Sequence, residues 1–81
     1  MRAIDHVTTR FPELAGAARM LYLRDERFRG ICQDLALALD SLRSFEQRLD
    51  AALRPEVADY RRLVCELEEE VAAYLRSSLP D

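Results

Sequence analysis

The chain contains no lysine: all twelve of its basic residues are arginine. Arginine's planar fork suits phosphate recognition, but these arginines are spread along the 81 residues without clustering. Fifteen acids outnumber them, for a net charge of −3. A genome-wide codon preference accounts for the bias more simply than nucleic-acid binding does. Glycine is equally scarce. With only Gly16 and Gly30 present, no Gly-rich loop can cradle a phosphate. The single histidine, His6, lies in a polar lead segment and is expected to be solvated. Without further histidines the acidic run Glu66, Glu68, Glu69, Glu70 cannot follow the Glu-x-x-His design of di-metal bundles, and it reads as a solvated helix face. Cys32 and Cys65 have no histidine or basic neighbour to stabilise a thiolate and are expected to be small buried hydrophobes. These shortages leave no expected catalytic, cofactor or metal site.

Long apolar runs are missing too. The longest, Leu14–Leu23, is about half of the ~20 residues that cross a bilayer, and Arg19 interrupts it. Residues 1–10 carry Arg2, Asp5, His6 and Arg10 with no apolar core, unlike a secretory signal. The chain therefore reads as soluble, cytoplasmic and without a membrane partner.

What the sequence does have is a period. Leu14, Leu21, Phe28, Leu35, Leu42 and Leu49 recur every seven residues, and a second series, Val57, Tyr60, Val64, Leu67, Val71, Tyr74, follows Pro55. Residues seven apart share one helix face. Phe11-Pro12-Glu13 and Arg54-Pro55-Glu56 both place proline where its missing N–H is harmless and a carboxylate near the positive helix end. Both are helix starts. Asp25 is a further candidate cap, although the heptad phase runs unchanged from Leu14 through Phe28. The last helix should fade at Ser77-Ser78, with Pro80 barring continuation. The chain is thus expected to be one all-α domain: an irregular lead over 1–10, a helical stretch that is either continuous or broken near Asp25 into a segment over 12–24 and a long helix over 26–53, and a last helix over 55–77.

Two amphipathic helices joined near Arg54-Pro55 form an antiparallel, coiled-coil-like hairpin. Its expected seam comprises Phe28, Ile31, Leu35, Ala38, Leu42, Phe45 and Leu49 on one side. Val57, Tyr60, Val64, Leu67, Val71 and Tyr74 supply the other. A turn centred at Arg54-Pro55 sets Leu49 beside Tyr60, Phe45 beside Val64, Leu42 beside Leu67, Ala38 beside Val71 and Leu35 beside Tyr74. Glu46 and Arg61 flank one layer on matching edges. Cys65 then faces Ser44, twelve residues from Cys32, or about 18 Å along the axis. A disulfide needs Cα atoms within about 7 Å, so no intrachain bridge is expected.

Apolar residues remain after the seam is filled. Leu14, Leu21, Leu39, Leu53, Leu63 and Leu75 form a candidate oligomer or partner surface, with Leu37 further round, because an apolar arc wider than one seam implies a second packing partner. The charge is also divided. Residues 1–29 hold six arginines against four acids, and residues 30–81 six against eleven, which gives +2 and −5. Such opposition fits head-to-tail packing, folding of the first segment over the hairpin, or equally plain surface decoration.

Phe11-Pro12-Glu13-Leu14, Asp25-x-x-Phe28, Ile31-Cys32, Leu42, Glu46, Leu67-Glu68-Glu69-Glu70 and Leu75 resemble the YdcH-like family, short bacterial helical-hairpin proteins of unknown function. The likeness spans roughly residues 11–75. It departs at Leu39-Asp40, where the family usually has its Leu-Asp pair one residue earlier, and in lacking lysines in the last helix. The resemblance implies a bacterial cytoplasm, a short first helix and a helix break just before Phe28, near Asp25. It brings no catalytic residues. The expected function is a small non-catalytic interaction module that self-associates as a homo-oligomer, assembled into a helical bundle, and docks a protein partner on its residual stripe. The alternative is a nucleic-acid-associated protein using Arg19, Arg24, Arg27 and Arg29.

Overall fold

The computed structural model describes residues 3–78, which contain helices and no strand. α1 spans Ala3–Arg10, a 3-10 turn spans Pro12–Leu14, α2 spans Ala15–Arg24 and α3 spans Glu26–Glu46. A second 3-10 turn, Ala51–Leu53, leads into α4, Pro55–Ser78. The protein is all-α. Its shape is elongated, 47 × 21 × 21 Å.

Both prolines start helical turns, Pro12 the first 3-10 turn and Pro55 α4. The backbone breaks at Asp25, which is extended (φ −116°, ψ 107°), and its Oδ1 accepts from the Phe28 N–H at 3.1 Å. That bond satisfies one of the orphan donors at the α3 N-terminus. α4 runs to Ser78, where the Ser77 and Ser78 hydroxyls both donate to the Tyr74 carbonyl at 2.9 Å. Pro80 lies outside the described residues.

Several expectations need correcting. Residues 3–10 are helical rather than irregular. Ile4, Val7 and Phe11 recur at the spacing of one helix face, and Val7 is completely buried in the core while Ile4 and Phe11 pack against it. A lone eight-residue helix does not persist in water, so its partners hold it. Glu68 on α4 is one of them: His6 is half-buried, and its Nε2 lies 2.8 Å from Glu68 Oε2. Glu68, with Arg10 at 3.6 Å as well, is accordingly part of a clasp rather than of a solvated face.

The long helix stops at Glu46, not near 53. Proline fixes the start of α4, and antiparallel helix axes lie about 8–10 Å apart. The chain that crosses this gap must come from the end of α3, and residues 47–54 supply it. Asp50 ties the crossing together, accepting from Arg48 at 3.3 Å and from Arg54 at 3.0 Å. Burial pushes its carboxyl up, but the hydrogen bonds and positive charges of Arg48 and Arg54 together hold it below the usual range. Leu49 is consequently not a seam residue but fully exposed at 108 %.

The register shifts with the turn. Tyr60 stacks on Phe45 with ring centroids 5.6 Å apart, one turn from the expected Leu49. Tyr74 meets Phe28 at 5.4 Å, a full heptad from the expected Leu35. Glu46 and Arg61 do pair, at 2.9 Å.

α3 and α4 share the largest interface. α1 and α2 fold over its open end, where Val7 and Ala18 join Phe28, Ile31, Cys32, Leu35, Val71 and Leu75 in one core. Toward the connection the molecule is only two helices wide.

Candidate functional site

Of the expected seam, Phe28, Ile31, Leu35, Ala38, Val57, Val64 and Val71 are buried, and Leu42, Phe45, Tyr60, Leu67 and Tyr74 are half-buried. The expected partner surface is not one surface. Leu75 is completely buried. Leu14, Leu21 and Leu39 are half-buried and pack on the core. The covering comes from α1 and α2, whose fold-back uses the apolar arc around the open end. Leu53 and Leu63 stay exposed, joined by Leu37. Cys65 is exposed rather than buried, and both cysteines are free. Burial pushes the Cys32 thiol up to about 11, so it stays protonated at neutral pH.

Leu37 and Leu63 face each other across a groove of about 370 Å³ between α3 and α4, floored by Ala38, Ser41, Tyr60 and Leu67, with Asp34 on its edge. Helix periodicity fixes the lips. Asp34 and Asp40 lie three residues either side of Leu37, while Asp59 and Glu66 flank Leu63 at four and three, with Glu70 one turn further; all share those faces. These five carboxylates are exposed, and none joins an ion pair among the described residues. Exposed Arg43 lies one turn from Asp40, and exposed Arg62 lies between Asp59 and Glu66, so the lips carry five carboxylates against two arginines.

The opposite charge gathers on α2. Met20 and Leu23 are exposed there, with Arg19 and Arg24 exposed beside them. Arg19 and Leu23 also border a cleft of about 440 Å³ between α1 and α2, with Ala3, Ile4, Asp5, Thr8 and Tyr22. Arg29, grouped by sequence with Arg19, Arg24 and Arg27, is committed elsewhere. Its Nε donates to the Tyr22 carbonyl at 2.9 Å and its Nη2 to the Leu23 carbonyl at 3.3 Å, which caps the end of α2.

Asp25 is the residue whose reach the sequence understated. Besides capping α3, its Oδ2 accepts from the Tyr74 hydroxyl of α4. The Tyr74 bond and the Phe28 N–H together hold its carboxyl below the usual range, and the same bond raises Tyr74. Asp25-x-x-Phe28 signalled the cap. Nothing local signalled Tyr74, because that contact spans 49 positions.

Among the described residues no cluster of three metal-ligating side chains occurs, and no helix is long and apolar enough to cross a membrane. Compared with family profiles, curated proteins and solved structures, the chain matches none of them.

Proposed function

We propose that this protein is a small non-catalytic interaction module of the bacterial cytoplasm that self-associates through the part of its hairpin left two helices wide. The observation that carries this reading is the groove between Leu37 (66 % exposed) and Leu63 (40 % exposed). Two exposed apolar side chains on one groove, with polar residues at its rim, favour an interaction surface there. The resemblance of residues 11–75 to the YdcH-like hairpin proteins belongs to the same reading.

Leu37→Asn tests it. The change is neutral, so it removes apolar contact whatever charge faces it, and the position is too exposed to matter for folding. Light scattering behind size exclusion should show wild type as a dimer or larger at tens of micromolar and the variant shifted toward monomer. A wild-type chain that remains monomeric and well folded there contradicts the reading.

A further inference from the structure

We propose that the chain assembles head to tail, the basic apolar face of α2 in one copy seating in the acidic groove of the next. This rests on the self-association reading and gives it a geometry. Charge decides between the ways two copies can meet. A symmetric groove-to-groove contact would set Asp34, Asp40, Asp59, Glu66 and Glu70 of one copy against the same five of the other. Like charges brought together across an interface are strongly unfavourable, and none of these carboxylates joins an ion pair among the described residues, although Arg43 and Arg62 lie a turn from three of them.

α2 offers the complement. Leu23 and Met20 are 78 % and 52 % exposed. They lie one turn apart on the face that also carries Arg19 and Arg24. Neither arginine is in an ion pair among the described residues. An apolar ridge between two cations thus meets an apolar trough between two rows of carboxylates, the usual helix-in-groove arrangement. The surfaces sit on different parts of the molecule, α2 over the open end and the groove running toward the connection. The contact is therefore heterologous and propagates into a ring or an open chain.

Leu23→Glu places an acid opposite the acidic lips, and Leu63→Arg places a cation opposite Arg19 and Arg24. Each variant alone should sediment near the monomer mass, its dissociation constant raised about tenfold or more. Mixed in equal amounts, they complement. The intact groove of the Leu23→Glu chain accepts the intact α2 of the Leu63→Arg chain, which restores at least a dimer containing one of each. Association of wild type should also weaken between 0.1 and 1 M salt, as the screening length falls from about 10 to about 3 Å.

Circular dichroism checks that both variants fold. If either does not, Arg24→Glu and Glu66→Arg, at exposed polar positions, serve the same complementation. Wild-type assembly that Leu23→Glu leaves unchanged, or a mixture with no more dimer than either variant alone, overturns the head-to-tail geometry while leaving self-association standing. A wild-type chain that is monomeric at low salt overturns both.

Discussion

Asp25 ends α2, begins α3 and holds α4, and a single carboxylate does this because its two oxygens serve different partners. Oδ1 takes the Phe28 N–H and Oδ2 the Tyr74 hydroxyl. Both bonds favour the ionised acid, so its folded pKa lies below the ordinary value of about 3.9. Its contribution to stability is therefore present above that ordinary value and is lost as pH falls through the lowered folded one. Tyr74 has the opposite sign. Its pKa is raised by the bond to Asp25, so its contribution is present below about 10 and is lost as pH rises through the raised value. In denaturant titrations Asp25→Asn, which still caps α3, should flatten the acid limb, and Tyr74→Phe the alkaline limb. Limbs unchanged in both variants would place the pH dependence elsewhere. Gly30 gives a simpler expectation. It sits inside α3, and an added Cβ would meet nothing within 4 Å. Gly30→Ala should raise unfolding free energy by about 0.5–1 kcal/mol.

At the scale of elements, Leu75 and Leu49 exchange the roles their heptad positions suggest. Leu75 is completely buried under the α1–α2 fold-back, so Leu75→Ala should destabilise by about 2–5 kcal/mol. Leu49→Ala, at an exposed site in the connection, should stay within about 0.5 kcal/mol of wild type. Equal losses from both would restore the longer seam. α1 depends on partners rather than on its own propensity, and the His6–Glu68 contact ties it to α4 across 62 positions. His6→Ala should speed amide exchange in α1 while leaving α3 protected. What could be read from the sequence was whatever is decided locally. Proline sets the starts of its helical turns through a fixed φ and a missing donor, and Asp25 signals its cap three residues ahead of Phe28. The inward stripe of α3 and α4 follows from helix period alone. Two features are not local. The end of α3 depends on the gap the chain must cross, and α1 depends on Glu68, 62 positions away. The register error follows from the first and the irregular lead from the second. The partner surface inherited both: α1 and α2 cover Leu75, and Leu37 remains as the exposed counterpart of Leu63.

For the whole molecule, fold-back and charge act together. α1 and α2 thicken the open end into a small bundle and leave the other half two helices wide, which is why the residual apolar groove lies there. The basic half of the chain supplies the exposed face of α2, and the acidic half supplies the lips of the groove. The same distribution argues against nucleic acid. Arg29 is used inside the fold, the proposed assembly would occupy Arg19 and Arg24, and on that proposal pure protein should give no salt-sensitive mobility shift of DNA or RNA. Self-association is the claim on which the rest depends, and sedimentation equilibrium of the wild-type chain at low salt, from low to high micromolar, tests it most directly. The expected result is a weight-average mass that climbs with concentration from the monomer past the dimer, as an open or ring-closing contact requires. A mass fixed at the monomer across that range, from protein that is helical by circular dichroism, would contradict it.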